Sequence, residues 1–355
     1  MKIASKVAFI AKPLAVAAVL TCACAAAQAQ SNVTIYGRID AGVNYQSNVL
    51  VPGSTTKTGD QWSASGNEWG TSMIGVMGSE DLGGGLKAEF KLENGFNADN
   101  GNVNGGSGLW TRRSYVGLVG SLGTIHVGKD LASENAIWDI DPTGQQAMST
   151  STLVNGRNWP QTNNMVNYIT PSFGGFTASV MHGFGGQAGS FTNASSDGVV
   201  LTYVQPSYEL LASYDVQRDA NGQYTSLYGD SKDLILGGTW TIDKLKLFAG
   251  YENLKAPGVA TGPDQTDQYW IGANYQLTPA LLLIAAAYHT TVNDNVGSAS
   301  LFMLGANYSL SKRTLLYASV GTLRNGANTN FGIETGTGAT GVNMNALYFG
   351  VSHSF

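Results

Sequence analysis

The sequence predicts an all-β fold, a transmembrane antiparallel β-barrel of about 16 strands. Three observations predict it. Apolar and polar residues alternate along segment after segment, the period of a strand with two unlike faces. Short turns then take turns with long Gly/Ser-rich loops, the asymmetry of an outer-membrane barrel. Outside the first 30 residues, no apolar run approaches the ~18 residues that a membrane helix needs.

The chain opens on a leader. Lys2, Lys6 and Lys12 make it basic, residues 14–26 are apolar, and Ala27-Gln28-Ala29 offers a small-x-small cleavage site. Residues 1–29 are expected to be a secretory signal peptide cut near Ala29, and residues 30–355 the barrel domain. Both cysteines, Cys22 and Cys24, lie in the leader. A lipid anchor on Cys24 is the alternative, with Thr21 a poor residue three before it. The mature chain then has no cysteine, which excludes disulfides and thiolate metal sites. It keeps 16 of 19 basic residues and all 24 acidic ones, a net charge of −8. That balance argues against a nucleic-acid partner.

The strands follow in order. In 33–44, Val33, Ile35, Ile39 and Val43 share one face with Gly37 and Ala41, while Arg38 and Asp40 share the other. A long loop covers about 46–69. Residues 71–78 form the second strand, and Asp81 to Gly85 a glycine turn. The third strand alternates Leu86, Ala88, Phe90 and Leu92 with Lys87, Glu89, Lys91 and Glu93. In a barrel this pattern puts lipid outside and water inside. Residues 109–119 and 124–129 form the next pair about Ser121-Leu122-Gly123. The longest irregular stretch, about 130–162, is expected to be functional or disordered. Further strands are expected at 165–170, 176–183, 199–204, 208–216, 233–242, 245–254, 268–277, 281–292, 300–310 and 314–323. The last, 343–355, alternates Leu347, Phe349 and Val351 and ends on Phe355. An aromatic last residue suits a strand that closes a barrel at a membrane interface. Tyr168, Tyr208, Tyr251, Tyr269, Tyr275, Tyr308 and Tyr317 are candidates for the interfacial girdles. Sixteen strands enclose an aqueous channel, where eight would be filled by side chains.

Signals for chemistry are missing. Gly123 to Lys129 fits seven positions of a P-loop, but Asp130 replaces the magnesium-binding hydroxyl and the segment reads as a strand. Gly336 to Gly341 fits GxGxxG but leads into a strand, not a helix. The four histidines are scattered, and no GxSxG elbow occurs. The expectation is a protein with no catalytic residue, metal or cofactor.

Several blocks in order carry a resemblance: SNVTIYGRIDAGV (31–43), GSEDLGGGLKAEFKLENGF (78–96), RRSYVGLVGSLGTIHVGK (112–129), NYITPSFGGF (167–176) and YFGVSHSF (348–355). With them the chain resembles the general diffusion porins of Gram-negative bacteria, in the branch shared by Neisseria and Burkholderia. The terminal Phe355 looks like the signal read by the outer-membrane assembly machinery. The resemblance implies a homotrimer in the outer membrane, among its lipid and lipopolysaccharide. It implies passage of ions and small hydrophilic solutes. It also implies a third outer loop, about 130–162, folded into the lumen.

In the family, acidic residues on that loop face a basic wall, and their transverse field sets ion preference. The resemblance places Asp130, Glu134, Asp139 and Asp141 on the acidic side. It places Arg112 and Lys129 on the basic wall, and lumen-facing Arg38 and Lys87 join them. Met73 and Met77 stand where the family carries basic residues, and Gln161 where it carries an arginine, with Arg157 near enough to substitute. A thin basic wall and an acidic chain predict cation preference. The two methionines leave open an apolar patch for one substrate. A non-conducting surface barrel or adhesin, and a barrel enzyme with a scattered catalytic group, are the readings from other classes.

Overall fold

Strand alternation here sorts side chains between lipid and water, so one strand cannot stand alone; its unpaired backbone groups require a neighbour on each edge. The computed structural model of the protein, which describes residues 32–355, meets that requirement with a closed antiparallel sheet. The expected leader, both cysteines and the expected cleavage site lie outside the described residues. The strands are β1 (Asn32–Leu50), β2 (Thr58–Gly66), β3 (Ser72–Gly83), β4 (Leu86–Phe96), β5 (Val103–Asn104), β6 (Arg113–Gly120), β7 (Gly123–Leu131), β8 (Gln161–Ile169) and β9 (Phe176–Gly183). They continue as β10 (Ser196–Gln205), β11 (Tyr208–Gln217), β12 (Lys232–Ile242), β13 (Leu245–Lys255), β14 (Gln265–Gln276), β15 (Leu281–Val292), β16 (Gly297–Ser309), β17 (Thr314–Asn325) and β18 (Met344–Ser354).

Sixteen of these strands pair in sequence order around the wall. β2 pairs only with the upper half of β1, and β5 only with the end of β4, so both belong to loops. The sequence gives no sign of either. The wall closes where β1 pairs with β18, from Arg38 opposite Ser354 to Gln46 opposite Ala346. The last residue completes the seam: the Phe355 N–H donates to the Gly37 carbonyl at 3.1 Å, and the Gly37 N–H donates to the Phe355 carbonyl at 3.2 Å. A side chain at Gly37 would overlap the Phe355 ring.

Seven short turns lie at one rim with both ends of the described chain, and eight loops at the other. Outward residues form an exposed apolar belt that includes Ile35, Val116, Val127, Leu201, Ile271, Phe302 and Val351. So large an exposed apolar surface calls for a membrane around it. Phe176 stacks on Tyr203 at 4.2 Å, and Tyr251 lies 4.9 Å from Tyr269, among the aromatics of that surface. Tyr317 does not join them. It shares the inward face with Asn307, and its hydroxyl donates to Asp40 Oδ1 at 3.2 Å.

The loop between β7 and β8, residues 132–160 (L3), is not irregular throughout. It holds two 3-10 helices, Ser133–Asp139 and Thr150–Val154. The loop's apolar residues Ile137, Ile140, Met148, Leu153 and Val154 are buried against Ile235, Trp270, Ile284, Tyr288, Leu301 and Tyr348. Fully burying one such side chain is worth about 1.5–3 kcal/mol, and every wall residue in that group has the inward parity.

Candidate functional site

L3 lies close because the wall has made room for it. Gly198, Gly237, Gly272 and Gly321 face inward on β10, β12, β14 and β17. A Cβ on Gly237 would stand 2.7 Å from Ile140 Cδ1, and Cβ atoms on the other three would overlap Ser133, Pro142 and Met148. Polar contacts fix the same track. Trp270 Nε1 donates to the Ile140 carbonyl at 2.8 Å, and Asn274 Nδ2 to the Pro142 carbonyl at 3.0 Å.

Two of the four acids expected on the pore side are consumed in this seating. Asp141 accepts from the Thr143 and Thr150 backbone, from both their hydroxyls, and from the Tyr288 hydroxyl at 2.8 Å. Glu134 is fully buried and paired with Arg157. Burial raises its carboxyl, against the pull of that guanidinium. Arg157 also contacts Asp215 at 3.2 Å and donates from Nε to Ser231 Oγ at 3.0 Å. It clamps the two arms of L3 to β11 and does not stand on the pore wall. Of the three acids on L3, Asp139 alone stays exposed.

The opposite wall, β1 to β7, carries interleaved charge. Glu93, almost fully buried, is its hub. Tyr36 donates to Oε2 at 2.8 Å, Arg112 Nε to Oε1 at 2.7 Å, and Arg113 Nε stands 3.8 Å from Oε1. Lys91 reaches Oε2 at 4.0 Å. Arg113 then bridges to Asp130 at 2.9 Å, and His126 Nε2 lies 2.7 Å from Glu89 Oε1. Arg38 donates from Nε to the Thr71 carbonyl at 3.0 Å, its guanidinium 5.2 Å from the Trp69 ring.

Among the residues expected at a constriction, then, Arg38, Arg112 and Asp130 gather on one wall. Lys87 shares their face but sits near the turn rim, opposite Asp81. Met73 faces inward opposite Arg38, and Met77 opposite Lys91 and Thr34. Lys129 is on the other side. It pairs with Ser114 in the parity of Ile125 and Val127, which face lipid. A strand carries alternate residues to opposite faces, so Lys129 cannot share the lumen with Asp130. Tyr36, Lys91, Glu93 and Arg113 are functional-wall residues not singled out from the sequence. Their signal was the parity they share with Arg38 and Lys87.

Among the described residues no group of three or more His, Cys, Asp or Glu stands close enough to hold a metal. No helix there is long and apolar enough to cross a membrane, which says nothing of strands.

The profile of the Gram-negative porin family matches residues 15–329. Outer membrane porin protein 32 of Delftia acidovorans is 30% identical over 97% of this chain and 99% of its own length. A major outer membrane protein P.IB of Neisseria gonorrhoeae is 30% identical over 86% of this chain and 92% of its own. Among solved structures, the anion-selective porin from Comamonas acidovorans superposes with a TM-score of 0.80 at 24% identity, covering 92% of this chain and all of the other.

Proposed function

The chain belongs to the Gram-negative porin family, an outer-membrane channel, and on that premise we propose an open, passive pore for ions and small hydrophilic solutes, working as a homotrimer. The observation that carries this is a sixteen-strand wall whose inward face is charged on one side and lined by L3 on the other. L3 narrows the channel, and solutes pass between Asp139 and the wall of Arg38, Lys91, Arg112 and Arg113. No bond is made or broken in this passage. Specificity comes from width and fixed charge.

The expected cation preference rested on an acidic L3 and a thin basic wall. Glu134 and Asp141 are engaged elsewhere, and Lys91 and Arg113 thicken the wall. Arg38 and Lys87 make no ion pair within 4 Å among the described residues. We therefore favour a weak anion preference at the constriction, the property named for the Comamonas protein. The net charge of −8 expected for the chain without its leader supports the cation reading instead. Reversal potential across a KCl gradient decides between them. We expect a weakly anion-selective potential that Arg38→Gln moves toward cations. A cation-selective wild type would return the weight to Asp139. Absence of conductance from folded protein would overturn the channel.

The second reading of the same fold is a substrate-selective pore. Met73 and Met77 support it, as an inward apolar strip beside Arg38 and Lys91. Competition of one solute class against ion current, relieved in a Met73→Lys, Met77→Lys variant, would favour it.

A further inference from the structure

On the loop side, L3 meets L1 (51–71), L2 (97–112) and L8 (326–343) around a cavity of about 470 Å³. Its lining includes Glu68, Asp99 and Glu334 and no lysine or arginine. Glu68 and Glu334 are close together, since the single amide nitrogen of Asn44 donates to Glu68 Oε1 at 3.4 Å and to Glu334 Oε1 at 3.3 Å. Glu334 takes a further bond from Gln46 Nε2 at 2.5 Å. These donors are neutral. Uncompensated carboxylates out of bulk water repel one another, and a cation between them relieves that repulsion.

Two other features of the cavity say what kind of cation fits. Gln145 lines it and is 93% buried, and its Oε1 accepts no hydrogen bond, so a donor from a guest would satisfy it. Trp159 lines it with 44% of its surface exposed, and an aromatic ring attracts organic cations. Among the described residues no group of three or more His, Cys, Asp or Glu could hold a metal ion here.

We propose that this cavity is a docking site for a small organic cation carrying a hydroxyl group, held at the loop-side mouth of the channel above L3. The cationic head lies between Glu68 and Glu334 against Trp159, and the hydroxyl donates to Gln145 Oε1. Occupancy obstructs the pore from the loop side. Only this last consequence rests on the channel reading.

Burial and the adjoining Glu334 carboxylate push Glu68 up to about 8. The groups around it are acidic or phenolic: Asp40 on β1, Tyr317 on β17, Tyr348 on β18 and Asp99 on L2. A bound cation favours the ionised carboxyl, so docking strengthens as pH rises through that value.

Choline is the probe, because its charge does not titrate. Two measurements test the site: calorimetric titration of the detergent-solubilised protein, and block of KCl current in planar bilayers. We expect binding heat, block from the loop side only, and several-fold tighter binding at pH 9 than at pH 6. Glu68→Gln with Glu334→Gln should weaken binding about tenfold, as removal of a charge-assisted contact does. Glu80→Gln at the turn rim should leave it unchanged. Dimethylbutanol, the uncharged carbon isostere, should not bind. Equal affinity in the wild type and the double variant, or block of equal strength from either side, overturns the site. Choline heat without any ion current would keep the site and remove the channel. Current without choline heat or block would do the reverse.

Discussion

Arg157 shows how much of the pore is settled by one side chain. It lies on L3, yet its partners Glu134 and Asp215 belong to the start of the loop and to the wall, and all three are buried. Removing one member of a buried ion pair leaves the other charge in low dielectric, at a cost of about 3–5 kcal/mol. Arg157→Met is therefore expected to loosen L3 while the sixteen-strand wall persists. Limited proteolysis should cut within residues 132–160 in the variant and not in the wild type, with noisier single-channel current. Unchanged protease resistance would mean that apolar burial alone seats the loop. The sequence offers Arg157 as a substitute for a wall arginine; the structure makes it a clamp instead, a role invisible in the sequence because it depends on carboxylates 23 and 58 residues away. Lys129 was legible: counting by twos from Ile125 and Val127 already puts it outside. Family position placed it on the basic wall, and parity overrules that.

At the level of elements, the strands were readable because each announces two faces, and the wall count of sixteen follows from them. Their ends shifted by a few residues, and β2 and β5 were invisible, being strands that pair on one edge only. L3 read as irregular because its order comes from the wall. Its helices are short, and an isolated helix of that length is unstable in water. The wall glycines are the complement to that order. Parity already puts Gly237, Gly272 and Gly321 on the inward face of their strands, but nothing in the sequence says that L3 packs on them. Gly272→Val should push Pro142 off β14 and change single-channel conductance without altering heat-modifiable barrel migration on gels. Gly59→Val, at an open position on β2 where a Cβ meets nothing, makes no such contact and should leave conductance as it was. Equal conductance in both variants and the wild type would sink the seating argument.

For the whole molecule the decisive contact is the seam. Every other wall pairing joins neighbours in sequence, whereas β1 and β18 bring residues 38 and 354 together. Gly37→Val would drive a side chain into the Phe355 ring, and Phe355→Ala would remove the ring. Gly37→Val is expected to lower the yield of folded barrel several-fold, with the double variant partly restored. Yield from refolding in detergent measures this without any assembly machinery. If Phe355→Ala folds normally in detergent but fails to accumulate in cells, the ring serves recognition and not the seam.

The seam also changes what kind of object the chain is. Asn32, the first described residue, and Phe355 lie on adjacent strands at the same rim. In connectivity the protein is a ring of sixteen staves with one covalent link left unmade. The wall itself therefore has no first strand. The slow step in making such a ring is the closure of its largest loop, about the whole chain, for which every local hairpin is only preparation.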